Sequence, residues 1–314
     1  MYFLKRLTKS DTIFNKTELD QGKLWKKIGR KGQGRGQFDM PCGVTTTKSG
    51  DVIIADTENH RVQIFNFDGV FKSKFGSKGS KPSQLCYPMG VAVTSSEDVV
   101  VTDSVNAAIK LFSIDGTLKM CFTQQAAVEF PHGICVTIDD HIIFTDICKH
   151  SVTVLQPNGT ISHIFGKYGD GPQEFDHPYC VTTNSSNQII VSDTGNNCVK
   201  IFHFQGRLLR CFTSLDFHLP SENFVSLFGV CTDSDDNTLV VCNSGVYILT
   251  KNGRLWEVLT SDDGLTTPKC IAFSQGRLIV TQSGYDVKHE VCIYRYNKDD
   301  FKSLNTLLYY AISI

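Results

Sequence analysis

The sequence predicts an all-β fold: a six-bladed β-propeller of four-stranded antiparallel blades, closed by an N-terminal strand. Three observations predict it. Apolar runs ending in an acid recur as "IIAD" at Asp56, "VVTD" at Asp103, "IFTD" at Asp146 and "IVSD" at Asp193, spaced by 47, 43 and 47 residues, and weaker copies end at Asn243 and Gln282. A proline opens five of the six units, at Pro41, Pro88, Pro131, Pro178 and Pro268, usually ahead of Gly-Val or a close analogue. A glycine turn follows the third run of five units, at Gly69, Gly116, Gly159, Gly206 and Gly253. A repeat of about 40 to 50 residues built from short strands matches a propeller blade.

The elements follow in order. Residues 1–22 read as an N-terminal extension, 23–300 as the propeller and 301–314 as an apolar C-terminal tail or final strand. The first unit reads as strands at Cys42 to Thr46, Val52 to Ala55, Val62 to Asn66 and Val70 to Phe75, separated by Gly, Asp and Asn turns. A lone sheet of this kind leaves one face uncovered, so neighbouring blades must cover one another. The segment "KLWKKIGRKG" at 23–32 copies the fourth-strand ending "FKSKFGSKG" yet precedes the first unit. It is expected to pair with "VCIYRY" at 291–296, and the tail "SLNTLLYYAISI" is the competitor for that edge.

Composition narrows the class further. The 314 residues carry a net charge of −1, which argues against a protein that coats nucleic acid along its whole surface. The distribution is uneven: residues 23–83 hold 12 Lys/Arg against 5 Asp/Glu. The 12 cysteines include no C-x-x-C pair, so zinc-finger and redox motifs are unsupported. Free thiols in this number, with no secretory signal and no long apolar span, lead to a cytoplasmic expectation with no membrane association.

The pattern "P-x-G-V…IIADTENHRVQIF…DG-x-F…FG" resembles the NHL repeat, most closely the C-terminal propeller of TRIM-NHL proteins, and "IGRKGQGRGQFDMPCGV" at 28–44 is its most diagnostic piece. That resemblance implies a binding platform that selects protein substrates for ubiquitination or structured RNA. The RING, B-box and coiled coil that carry ligase chemistry in such proteins have no counterpart in this sequence.

Asp56, Asp103, Asp146 and Asp193 each end a strand before a turn, where a short acceptor bonds backbone N–H groups, so they read as structural turn residues. Nine histidines show no H-x-x-x-H or H-E-x-x-H spacing, and no G-x-S-x-G elbow occurs, so no catalytic residue, metal site or cofactor is expected. "GRKGQGRG" at 29–36 lacks the G-K-[ST] ending of a phosphate loop and precedes a strand.

The basic region is the sharper signal. Fourth-to-first and second-to-third strand connections emerge on one side of a propeller. Arg30, Lys31, Arg35, Arg61, Lys78 and Lys81 are therefore expected to converge on one partner-binding face, with His60, Tyr87, His132, His150, Tyr168, Tyr179 and Asn196 as rim contacts. The plainer alternative is that loop lysines only keep the protein soluble. The favoured function is protein-substrate recognition within a ubiquitin ligase of TRIM-NHL type, with protein substrates or adaptors as partners. The alternatives are single-stranded or hairpin RNA bound on the basic face and, remotely, a metal-dependent propeller enzyme. No small-molecule substrate is evident.

Overall fold

In the computed structural model, residues 23–124, 126–213, 226–243, 245–251, 253–284 and 288–297 are described, together with the backbone of 302–303. The strands assemble into six antiparallel sheets. Blade 1 runs Pro41–Thr46, Val52–Asp56, Arg61–Phe65 and Phe71–Phe75 from the axis outward. Blade 2 follows with Pro88–Val93, Val99–Asp103, Ala108–Phe112 and Leu118–Phe122, and blade 3 with Pro131–Val136, Ile142–Asp146, Ser151–Leu155 and Ile161–Phe165. Blade 4 comprises Pro178–Thr183, Ile189–Asp193, Cys198–Phe202 and Leu208–Thr213, and blade 5 Leu227–Thr232, Thr238–Cys242, Gly245–Leu249 and Leu255–Leu259.

Blade 6 is made from both ends of the chain. Pro268–Ser274, Arg277–Gln282 and Glu290–Arg295 are completed by the N-terminal strand Leu24–Ile28, which pairs Lys26 with Ile293, Lys27 with Cys292 and Ile28 with Val291. The tail does not take that edge. Its residues Lys302–Ser303 pair instead with Trp256 and Glu257 on the outer strand of blade 5. The predicted extension 1–22 and residues 304–314 lie outside the described residues.

Residue patterning explains the layering. Second and third strands are buried throughout, as in "VIIAD" and "RVQIF", because each is sandwiched between two neighbouring blades. Outer strands alternate, as in "FKSKF", with Phe71 and Phe75 turned inward and Lys72 and Lys74 outward. Six apolar clusters lie between consecutive blades, including one between blades 6 and 1 built from Ile28, Phe38, Val52, Ile54, Phe65, Ile279 and Ile293. Neighbouring inner strands pack all round the axis, and the last packs on the first, which closes the ring.

The closing seam is also held from outside. The Arg277 guanidinium lies 3.6 Å from the centroid of the Trp25 ring and 5.0 Å from that of Phe67, joining blade 6, the N-terminal strand and blade 1. The repeated glycine between third and outer strands is required by its backbone: Gly69 sits at φ +78°, where a side chain is disfavoured.

Candidate interaction surface on the loop face

Long glycine-rich loops enter blades 1, 2 and 4: residues 29–38, 76–85 and 166–175. Each is anchored by one fully buried side chain, Phe38, Leu85 or Phe175. Each is also closed on itself by a short parallel bridge, pairing Lys31 with Phe38, Lys78 with Leu85 and Tyr168 with Phe175. Small residues let the chain turn tightly, and the apolar anchor holds the loop against the blade.

The repeated acids bond not only within their own turns but also to the segments entering their blades. Asp56, Asp103, Asp146 and Asp193 are fully buried. Asp56 accepts the Asp39 N–H at 2.7 Å and also binds Asn59, Arg61 and Gln63. Asp103 and Asp193 accept the Cys86 and Asp176 N–H groups at 2.6 and 2.7 Å. A cation completes each set: Arg61 Nε lies 2.7 Å from Asp56, Lys110 Nζ 2.7 Å from Asp103 and Lys200 Nζ 2.8 Å from Asp193.

The same cations reach over the acid to the loop. Arg61 donates to the carbonyls of Gln33, Gly34 and Gln37, Lys110 to that of Gln84, and Lys200 to those of Gly171 and Glu174. Asn59, Asn106 and Asn196 add bonds to the Gly32, Gly79 and Gly169 carbonyls. Blade 3 is the internal control. Its entry segment lacks the glycine loop, Thr153 occupies the register position of Lys110, and Asp146 is satisfied by the Glu129, Phe130, Cys148 and Lys149 N–H groups alone. A buried cation therefore occurs where there is a loop to latch.

This arrangement corrects several assignments. Arg61 is buried, at 5% exposure, and spent on Asp56 and three carbonyls, so it cannot meet a partner. Asn196 is bonded within its own turn and to the loop. His60 is buried, and its Nδ1 accepts the Tyr87 N–H at 3.1 Å, bolting blade 1 to blade 2. His132 lies on an inner strand rather than in a rim turn, and it too is buried. Tyr179 projects across the channel mouth, where its hydroxyl is in hydrogen-bond contact with Cys42 Sγ of the opposite blade at 3.6 Å.

Arg30, Lys31, Arg35, Lys78 and Lys81 are exposed, and none forms an ion pair among the described residues. They occupy the two loops entering adjacent blades, on the side of the ring that also carries the Asp-turns. The His60–Tyr87 contact, ring centroids 4.7 Å apart and edge-on, joins the two sectors. Lys78 lies near enough that, after burial, its charge is the next cause lowering the His60 pKa. Tyr87 is half-buried, and Glu58 raises its phenol pKa by charge and hydrogen bond. Tyr168, 68% exposed, and His150 lie farther round, their rings 4.9 Å apart.

Sequence reasoning missed Lys110 and Lys200, because "AIKLF" and "CVKIF" read as apolar strands with one polar residue each. The available signal was that a basic residue five or seven positions after the acid appears in the blades entered by a glycine loop.

The channel encloses a cavity of about 230 Å³ lined by the inner strands, including Cys42, Cys135, Cys180, Cys231 and Cys270. Its lining contains no carboxylate, lysine or arginine. Burial pushes the Cys42 thiol up to about 12, so it behaves as an apolar filler. At the mouth, His132 packs against Tyr179 with centroids 4.0 Å apart and the rings tilted by 46°.

Burial also pushes the His132 imidazole down from 6.5 to about 4, against a small opposing effect of the Tyr179 carbonyl bonded to its Nδ1. A histidine whose folded pKa is depressed contributes stability that is complete above 6.5 and is lost as pH falls toward 4. Stability is therefore expected to drop by roughly 3 kcal/mol across that window, and His132→Phe, measured by urea unfolding at pH 7 and pH 4.5, should flatten part of the slope.

Comparison with known proteins agrees with this architecture. The NHL repeat family model matches residues 38–65 and 175–202, which span the first three strands' worth of blade 1 and of blade 4. A 46-residue stretch is 48% identical to the B-box type zinc finger protein ncl-1 of Caenorhabditis elegans, and one of the same length is 50% identical to Protein brain tumor of Drosophila melanogaster. A 47-residue stretch is 45% identical to Tripartite motif-containing protein 2 of Homo sapiens. Each match covers 15% of this chain and only 4 to 6% of the relative's length.

Among solved structures, a streptogramin B lyase superposes with a TM-score of 0.64 at 18% identity, covering 88% of this chain and 89% of that one. A gluconolactonase from Xanthomonas campestris gives 0.63 at 18% identity, covering 82% and 87%. At that identity the likeness is one of fold alone. Blades 1 and 4 match the NHL-repeat model directly, and the six sheets close into a six-bladed β-propeller.

Proposed function

We propose that this propeller is a recognition platform whose loop face recruits a protein target through an acidic segment, as the target-selecting part of a ubiquitin ligase of TRIM-NHL type. The observation that carries this reading is the set of five exposed cations, Arg30, Lys31, Arg35, Lys78 and Lys81, with no ion pair among the described residues, on two loops latched from beneath. Cations in such a set favour an anionic partner and speed its encounter. The channel lining holds no carboxylate, lysine or arginine, and burial keeps its one histidine, His132, neutral near pH 7, which supports binding over acid–base catalysis in the cavity. RNA is the second reading. It draws on the same cations together with Tyr168, whose exposed ring offers a stacking surface.

The test is capture from cell lysate with and without RNase. Wild-type protein should retain protein targets in both conditions, and Arg35→Glu/Lys78→Glu should lose most of them with its melting temperature nearly unchanged. Retention that disappears with RNase, with a log-log salt slope of roughly −0.7 per phosphate contact, would select RNA instead. Undiminished capture by the double variant would remove the basic face from either reading. Arg61→Met is the contrasting control. Burial pushes the Asp56 carboxyl up, and removal of its cation should cost about 3 to 5 kcal/mol, so its binding defect should track unfolding.

A further inference from the structure

At three blade junctions the last residue before a third strand meets one or both of the residues that precede the next inner strand. The scaffold is repeated, so the junctions can be compared. His60 meets Tyr87, His150 meets Asp176 and His177, and His289 meets Asp39 and Met40, while the corresponding residues between blades 2 and 3 are Ala107, Glu129 and Phe130. In three of these the histidine Nδ1 accepts the N–H of the residue before the proline, at 3.1, 3.2 and 3.0 Å. The left-handed backbone at His60, His150 and His177 is shared by the equivalent residues elsewhere and so belongs to the scaffold.

Among the described junctions, only that of blades 3 and 4 fills all three places with His, Cys, Asp or Glu. Ligand atoms of His150, Asp176 and His177 all lie within 4.8 Å of one another, and no other such group of three occurs among the described residues. His177 Nδ1 is 2.6 Å from Asp176 Oδ1, and His150 Nδ1 is 3.9 Å from the same oxygen. The Asp176 backbone is fixed, its N–H bonded to Asp193 and its carbonyl to the Gly195 N–H, both at 2.7 Å. His177 is open to solvent, with its side chain 63% exposed.

We propose that His150, Asp176 and His177 form a binding site for a first-row divalent cation of the Zn²⁺, Ni²⁺ or Cu²⁺ type. Two imidazoles and one carboxylate suit these ions and not Ca²⁺ or Mg²⁺, which take oxygen ligands. Three protein ligands on an exposed rim leave at least one coordination position for water or for a donor from a bound partner. Binding exchanges the long His150–His177 bond and the His177–Asp176 bond for bonds to the ion, and the His177 proton moves from Nδ1 to Nε2. Linear spacing gave no sign of the site because His150 and His177 are 27 residues apart and meet only through the blade junction.

The test is titration of the purified chain with ZnCl₂ by calorimetry, repeated with His177→Ala and Asp176→Asn. One saturable equivalent is expected, weakened at least tenfold in each variant. Co²⁺ in place of Zn²⁺ should give visible d–d bands in the wild type that both variants lose. Melting temperature without metal controls for folding, and an exposed His177 makes a fold defect in that variant unexpected. Absence of saturable uptake by the wild type would overturn the site. So would equal uptake by His177→Ala, because the ion would then reside on exposed thiols such as Cys121, Cys148 and Cys211.

Discussion

Deletion of the chain up to Ile28 should open the ring. The N-terminal strand supplies the fourth strand of blade 6, and without it Val291 and Ile293 lose their cover while the Glu290–Arg295 edge presents unpaired backbone groups. Ile28, 4% exposed, packs in the cluster that joins blades 6 and 1, and Arg277 loses the Trp25 ring beneath it. Loss of a packed strand of this size is expected to remove about 5 kcal/mol, a large share of a domain's total stability, and to leave a species that pairs with itself through the bare edge. Urea unfolding followed by size-exclusion chromatography checks both parts. A synthetic peptide of residues 23–32 should restore part of the midpoint in a concentration-dependent way. A truncated chain with the parental midpoint would mean that blade 6 is held by its three remaining strands. The milder Ile28→Ala should cost about 2 to 4 kcal/mol.

Gly43→Val should be at least as damaging by a different route. A Cβ at Gly43 would lie 2.5 Å from the Met89 carbonyl oxygen and 2.9 Å from Gly90 Cα. These are backbone atoms of the neighbouring inner strand, so no side chain can swing aside to make room. The loss expected is more than about 4 kcal/mol, in the range reserved for severe overpacking near a constrained axis. Gly276→Ala is the matched control. Nothing lies within 4 Å of its Cβ, and only the positive φ of +68° is strained, at a cost of about 1 kcal/mol. In blades 4 and 6 the equivalent positions are Cys180 and Cys270, and Gly229 stands between them. A Cβ on Gly229 would meet Cys270 Cα at 2.7 Å, so the axis admits side chains at these alternate places and not at their neighbours. Equal melting temperatures for Gly43→Val and wild type would refute the crowded-axis account.

The fold was legible because its information is periodic. Most blades repeat a proline, an apolar run ending in an acid or amide and a glycine turn, and the strand limits read from blade 1 differ from the observed Pro41–Thr46, Val52–Asp56, Arg61–Phe65 and Phe71–Phe75 by at most one residue at either end. The outward loops were legible for the same reason, which is why Arg30, Lys31, Arg35, Lys78 and Lys81 are exposed as expected. Side-chain direction was not legible. Arg61 follows the turn by one residue and could in principle point outward, but the Asp56 carboxylate and three loop carbonyls turn it inward. Tyr179 shares its place beside the proline with Cys42 and His132, and only the closed ring brings Cys42 within reach of its hydroxyl. Such contacts depend on residues that are distant along the chain and adjacent across blades, and no local spacing encodes them.

The latch beneath each glycine loop has a consequence for how a partner would be held. Arg61, Lys110 and Lys200 fix the loop carbonyls before any encounter. Little chain entropy then remains to be surrendered when a target docks, so differences between targets should appear mainly in how slowly they leave.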